Sequence, residues 1–314
     1  MEKMKMVHFN IVTILILFDC FNTSVAQYSK DSCNLIAKNR YSAEMGSIQL
    51  GEIFTSYEIP YLNDHTIIYN AKDKKWHLYG IISPQTNFIH LIADSLTQKG
   101  WVKEKPFSDG AVEIWAPHII FHNNLYHMFY TKIGIPREIH HVVSRDLFNW
   151  SKSEKPVLAL KNELTENMKN KDPMVFRDEA NKQWIMYYSM MKDDKHWVVG
   201  YSTSDNLNNW SDPKICFDEN TDMPGVESPF VVKRGEYYYL FLSARPWPVG
   251  GEDIFRSKSP FLWKIKDLVR RINPWHAAEV IQDLDGQWYL TLSSGTQCKD
   301  FRMAPLYWND IIKD

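Results

Sequence analysis

The sequence predicts an all-β protein, a five-bladed β-propeller with four antiparallel strands per blade, and three observations carry that prediction. First, one unit occurs five times: an opening residue that is polar in four of the copies, a short apolar run, a turn, and a second run built around aromatics. The copies begin at Asp64, Ala116, Asp172, Glu227 and His276. Second, successive starts lie 52, 56, 55 and 49 residues apart, and a period near 50 with two strands heading each unit marks propeller blades. Third, a closing signal of turn-forming residues, Leu or Phe, and Trp recurs. It runs from Asp94 to Trp101, Ser144 to Trp150, Ser204 to Trp210 and Ser257 to Trp263, and Met303 to Trp308 takes its place in the last unit.

In blade one, Asp64 to Tyr69 and Trp76 to Gly80 flank a turn at Asn70 to Lys75; in blade two, Ala116 to Phe121 and Leu125 to Tyr130 flank His122-Asn123-Asn124. Asp172 to Phe176 and Trp184 to Tyr188 make the third hairpin, Glu227 to Val232 and Tyr237 to Phe241 the fourth, and His276 to Ile281 and Trp288 to Leu292 the fifth. The polar connections between such runs are hairpin turns, so Asp73, Asp178, Asp283 and Asp285 are turn residues and not catalysts. The closing signal suits an outer strand that ends in a tight loop and packs its Trp on the neighbouring blade. Pro173 and Pro229 suit strand entrances. Lys161 to Lys171 reads as a surface loop, and residues 28–55 can add a strand to the last blade, which would remove a free edge.

Five units fill residues 60–310 of the 314, which makes residues 27–314 one domain. The formal charge of −2 leaves no electrostatic footprint for nucleic acid. Residues 1–26 read as a secretory signal: Lys3 and Lys5, an apolar core from Ile11 to Phe18, then Ser24-Val25-Ala26 before cleavage at Gln27. That core is too short to span a bilayer, and Asp19 fits poorly with lipidation of Cys20, so the expected location is secreted or periplasmic. Cys33, Cys216 and Cys298 show no zinc spacing. Cys33 and Cys298 flank the blades and would be neighbours in a closed ring, which leaves a disulfide and three separate buried thiols as open alternatives.

Asp64, Asp172 and Glu227 head the first strands of blades one, three and four. Inner strands of a propeller share one axis, so these acids can converge. Cleaving a glycosidic bond takes one carboxyl group that donates a proton and a second, ionised, that attacks carbon or activates water. A third acid nearby raises the proton affinity of the donor.

At these residues the chain resembles the five-bladed propeller glycoside hydrolases, families 43 and 32. Asn63-Asp64 resembles the Asn-Asp-Pro and Asp-Pro starts of those families. Lys171-Asp172-Pro173 is similar to their Arg-Asp-Pro signature, Val226-Glu227-Ser228-Pro229 to the segment bearing the proton donor, and Trp115-Ala116-Pro117 to the opening of blade two in family 43. The resemblance implies Asp64 as base or nucleophile, Asp172 as orienting acid and Glu227 as general acid, in a secreted hydrolase of a furanoside- or xyloside-containing oligo- or polysaccharide. Two departures bear on the sugar subsite. His65 replaces a proline, and Lys171 replaces an arginine whose planar fork lysine cannot copy. A carboxyl separation of about 5–5.5 Å would indicate retention of configuration and about 6.5–9.5 Å inversion.

Candidate substrate-binding residues are Asn63, Trp115, His118, Lys171, Arg245 and His276, with Trp247 and Trp275 as further sugar platforms. Trp76, Trp184 and Trp288 belong to second strands and to the core. No cofactor is required. The family resemblance allows calcium in the central channel near His276, although calcium prefers oxygen ligands. His140 and His141 point to opposite faces of a strand, which argues against a shared metal. The alternative reading is a non-catalytic carbohydrate-binding propeller or a protein scaffold; three acids favour the enzyme, because a binding module needs no third.

Overall fold

The computed structural model describes residues 48–51, 54–57, 62–82, 84–134, 137–159, 170–192, 196–218, 225–244, 251–272, 275–293 and 301–308, all within the unit Arg40–Asp314. The expected signal segment, Cys20, Cys33, Cys298, Arg245, Trp247 and nearly all of the Lys161–Lys171 loop lie outside these residues. The exception in that loop is Asn170-Lys171, which opens a strand. Cys216 is a buried free thiol.

The described strands form five antiparallel sheets. Two short N-terminal strands, β1 (Ile48–Leu50) and β2 (Phe54–Tyr57), come first. Blade one is β3 (Asn63–Asn70), β4 (Lys75–Ile81), β5 (Phe88–Ala93) and β6 (Val102–Phe107). Blade two is β7 (Ile114–His122), β8 (Leu125–Lys132), β9 (Glu138–Ser144) and β10 (Leu158–Ala159). Blade three is β11 (Asn170–Asp178), β12 (Gln183–Met191), β13 (Trp197–Ser204) and β14 (Lys214–Phe217). Blade four is β15 (Val226–Arg234), β16 (Tyr237–Ala244), β17 (Glu252–Ser257) and β18 (Leu268–Ile272). Blade five holds β19 (His276–Gln282), β20 (Trp288–Ser293) and β21 (Phe301–Trp308), and its outer place is taken by β1 and β2, both paired with β21. The N-terminal segment thus closes the ring, as the sequence led us to expect, and covers an edge that would otherwise offer unpaired backbone. The inner strands neighbour one another in the order β3, β7, β11, β15, β19 and back to β3.

Apolar clusters join one blade to the next. Tyr79, Phe88, Tyr126 and Tyr130 pack between blades one and two, Phe129, Trp184 and Tyr188 between two and three, and Tyr187, Leu240 and Trp263 between three and four. Leu78, Trp101 and Phe301 join blade one to blade five. Four closing tryptophans reach back one blade onto an aromatic ring: Trp150 to Tyr79 (5.9 Å between ring centres), Trp210 to Phe129 (6.0 Å), Trp263 to Tyr187 (5.8 Å) and Trp308 to Tyr239 (5.0 Å). In blades one to four the closing motif lies between the third and fourth strands, not at the end of the outer strand as expected. The reason is local. Ser144 ends β9 and Ser204 ends β13, and their hydroxyls accept the Leu147 and Leu207 N–H groups at 2.9 and 3.0 Å, turning the chain at once. Trp76 and Trp184 are buried core residues, as expected, whereas Trp288 is half-buried against Trp308.

Blades one and two repeat a histidine pair, buried in blade one and partly buried in blade two. His77 Nδ1 meets His90 Nε2 at 2.8 Å, and His127 Nδ1 meets His141 Nε2 at 3.0 Å. His90 stacks on Tyr79 and His141 on Phe129. His140 turns the other way, to Ser153 and Glu138. Within each pair one nitrogen donates and the other accepts, so the accepting ring cannot take a proton at that nitrogen without breaking the contact. Burial, together with the partner ring, pushes His90 down to about 3 and His141 to about 4.

Two expectations follow from this packing. Folded-state values below the unfolded value of about 6.5 mean that these histidines contribute stability in full above that pH and lose it as the pH falls. Thermal melting should therefore weaken by about 1.4 kcal/mol per histidine for each pH unit below about 6.5; a Tm constant between pH 7 and pH 5 would refute this. Trp263→Ala should cost about 3–5 kcal/mol in denaturant titration, because its ring is 1% exposed between blades three and four.

Candidate active site

Every inner strand carries the same irregularity. Two of its residues face one on the second strand: Asp64 and His65 face Gly80, Ala116 and Pro117 face Tyr130, and Asp172 and Pro173 face Tyr188. Ser228 and Pro229 face Leu242, and Ala277 and Ala278 face Leu292. The first residue of each pair has a left-handed backbone, with φ of 28°, 50°, 60°, 53° and 48° at Asp64, Ala116, Asp172, Ser228 and Ala277. These are β-bulges. Aspartate tolerates the conformation better than most residues. In blades two, three and four the second residue has no partner in the ladder, so proline fits in the strand interior there. Pro173 and Pro229 are therefore bulge residues and not strand entrances. His65 fills the same place in blade one and bonds Thr291 Oγ1 through Nε2 at 2.7 Å.

The bulges sort the site into tiers. The position before the bulge holds Asn63, Trp115, Lys171, Glu227 and His276, and the bulge itself holds Asp64, Ala116, Asp172, Ser228 and Ala277. Glu227 thus sits one residue earlier than Asp64 and Asp172, which corrects the expectation that all three acids occupy equivalent positions. Two residues beyond the bulge, His118, Met174, Phe230 and Glu279 line an axial cavity that Asp64 and Asp172 also border.

The three acids share one connected network. Ser228 Oγ donates to Asp64 Oδ1 at 2.9 Å, and Ser228 N–H donates to Asp172 Oδ2 at 3.0 Å. Lys171 Nζ lies 3.1 Å from Asp172 Oδ2 and donates to Glu227 Oε2. His276 Nε2 stands 3.5 Å from Asp64 Oδ1, and Asn63 Nδ2 donates to Asp64 Oδ2 at 3.4 Å. Lys171, Asp172, Glu227 and His276 are all buried. Burial pushes Asp64 up, but the hydrogen bond and charge of His276, with the charge of Lys171, outweigh it and hold the carboxyl below the ordinary aspartate value. Burial, with Asp64 and Glu227 nearby, raises Asp172 despite Lys171. Burial disfavours charge on Lys171 and His276, yet the surrounding carboxylates raise both.

The other expected binding residues fall in different places. Trp115 is half-buried, with Arg137 over its ring at 4.8 Å and its Nε1 donating to Glu113 at 2.8 Å. His118 lies deeper, between the Val175 carbonyl (3.2 Å) and Glu279 (3.7 Å). Trp275 is 4% exposed, which removes it as a sugar platform. The calcium suggested near His276 finds no ligand set: among the described residues no group of three or more His, Cys, Asp or Glu is arranged to hold a metal ion.

Sequence reasoning missed the partners opposite the pre-bulge tier. Thr131, Ser189, Ser243 and Ser293 pair with Trp115, Lys171, Glu227 and His276 and are fully buried. Thr131 accepts the Asp172 N–H at 3.1 Å, and Ser189 donates to Asp172 Oδ2 at 3.2 Å. Ser243 accepts the Ala277 N–H at 2.8 Å, and Ser293 donates to the His276 carbonyl at 3.0 Å. A hydroxyl near the end of four second strands was the available signal.

Comparison with known proteins bears on the family and the fold. The profile of the glycosyl hydrolases family 43 matches residues 90–261. An extracellular exo-alpha-(1->5)-L-arabinofuranosidase, ArbA, of Cellvibrio japonicus is 22% identical over 170 residues, covering 47% of this chain and 46% of that protein. The chain thus spans about half the length of this curated relative. Among solved structures, an alpha-L-arabinofuranosidase from Lactobacillus brevis superposes with a TM-score of 0.65 at 13% identity, covering 82% of this chain and 94% of its own. A GH32 beta-fructofuranosidase from Bombyx mori gives 0.62 at 16%, covering 91% and 66%. These two likenesses show the shared propeller, and the profile, which spans more than half of the sequence, shows that the chain belongs to glycosyl hydrolase family 43.

Proposed function

We propose that the protein is an exported hydrolase of furanosidic bonds in a glycan, with Asp64 as base or nucleophile, Asp172 as positioning acid and Glu227 as proton donor. The observation that carries this reading is the single buried network of three carboxylates, Lys171 and His276 at the mouth of the inner strands. The names of the relatives described above, an arabinofuranosidase among them in both sequence and structure comparison, support furanosides. An expected signal at residues 1–26 and an extracellular relative support export.

Each role has a physical basis. A base or nucleophile must be ionised, and His276 and Lys171 hold Asp64 in that form. Asp172 accepts the N–H of Ser228, the residue after Glu227, and so fixes the backbone that presents the donor. Lys171 touches both Asp172 and Glu227. While it rests on Glu227 it favours the ionised form there. Moving the ammonium wholly onto Asp172 would leave Glu227 free to hold a proton, which it delivers to the departing sugar oxygen. Asn63 and Trp115, in the same tier as Glu227, would meet the sugar in this reading.

A panel of arabinofuranosides, fructans, xylosides and galactosides, assayed with wild type and Glu227→Gln, tests the reading. Sugar release from furanosides by wild type is expected, with a loss of about 10²–10⁴-fold in the variant and an unchanged melting curve. Release by both proteins at similar rates would remove Glu227 from the mechanism, and sugar binding without release would favour a binding propeller. The acid limb of kcat/KM should lie below the ordinary aspartate value of about 3.9. His276→Asn should move that limb to higher pH, because it removes the charge that keeps Asp64 ionised; an unmoved limb would separate His276 from Asp64.

A further inference from the structure

Glu252 opens β17, the third strand of blade four, and is 0% exposed. Nothing in the reaction as described uses it. Burying a carboxyl group this completely is costly unless it is paired and hydrogen-bonded, so its contacts show what holds it. Ser243 Oγ donates to Glu252 Oε2 at 2.9 Å. The same Ser243 oxygen accepts the N–H of Ala277 at 2.8 Å. Ala277 is the left-handed bulge residue of blade five, directly after His276. The neighbouring acid Asp253 is satisfied elsewhere, by Arg271 at 2.5 and 2.7 Å.

We propose that Glu252 is a positioning residue for the reaction, which acts through Ser243 on the blade-five bulge and through its charge on His276, and so fixes the group that faces Asp64. This inference rests on the reading of Asp64 as base or nucleophile.

The arrangement repeats a pattern seen elsewhere in the ring. The bulge of blade three is held by Thr131 of blade two, and the bulge of blade four by Asp172 of blade three. In each case a polar side chain of one blade accepts the bulge N–H of the next. Blade five differs in that its acceptor, Ser243, is itself oriented by a buried acid. A hydroxyl that donates to a carboxylate is a better acceptor for a third group, so Glu252 tightens the Ala277 contact. The charged groups around His276 are Asp64 from β3, Glu227 from β15 and Glu252 from β17, and each favours its protonated form. Burial pushes Glu252 itself up to about 8, with His276, Ser243 and the Ala278 N–H opposing.

Two variants of the full chain test this. Glu252→Gln keeps an acceptor for Ser243 and removes the charge; the His276 imidazole, followed by NMR and assigned with His276→Asn, should then titrate about one pH unit lower, a tenfold change in proton affinity. An unchanged midpoint would overturn the proposal. Ser243→Ala should lower kcat about tenfold or more with KM within about twofold, as expected for a misplaced reacting group. Ser243→Thr should recover most of that loss, since Thr131 holds the equivalent place in blade two. Wild-type kcat in Ser243→Ala would also overturn it, and this pair of variants carries the test if Glu252→Gln does not fold. The NMR midpoint reads the link from Glu252 to His276 whether or not Asp64 is the base. Failure of the base assignment would show separately, as turnover that persists in Asp64→Asn.

Discussion

The left-handed bulge in each inner strand is the constraint on which the site depends. A regular strand alternates its side chains between two faces, and in a blade both faces are packed against neighbouring blades. One extra residue breaks that alternation and aims side chains at the axis. The cost is a strained backbone at five non-glycine residues, about 1–2 kcal/mol each. The blade interfaces and the hydroxyls that accept bulge N–H groups offset it. Strain of this kind persists only where the surroundings over-determine it, and here the surroundings are the next blade.

This coupling makes adjacent blades interdependent at the site. Asp172 belongs to blade three yet holds the backbone of blade four beside Glu227. Ser228 of blade four in turn donates to Asp64 of blade one, across the axis. Lys171 and His276 supply two positive groups among the carboxylates, and together they keep Asp64 charged in a place that burial alone would neutralise. Electrostatics decides the roles here more than distance does, because the three acids share one small buried volume and differ mainly in which cation and which N–H each one meets.

Much of the fold was legible in the chain. Repeats of nearly equal length, each with a hairpin and a closing tryptophan, can satisfy their apolar faces only by stacking on copies of themselves, so blade number followed from the period. The candidate acids were legible for the same reason, since repeat position marks the inner strand. The register at the bulge was not. Asp64 and Asp172 lie at the left-handed residue, whereas Glu227 precedes it, and a one-residue offset within a strand depends on pairing with the second strand. The place of the closing motif escaped as well, because a serine that caps a turn looks the same at the end of either strand.

What the sequence determined by itself was the number of blades, the acids near the start of three inner strands, and the chemistry that three acids can perform. Local pattern suffices for these, since hydrophobic period and residue type are properties of short segments. Only the tertiary structure decided which charges meet: Lys171 with Glu227 and Asp172, His276 with Asp64, and Glu252 with Ser243. Apart from that of Lys171 with its neighbour Asp172, those contacts join different strands, two of them in different blades, and they exist because closing the ring brings the strand ends to a common axis, out of water, where each buried charge must find a partner.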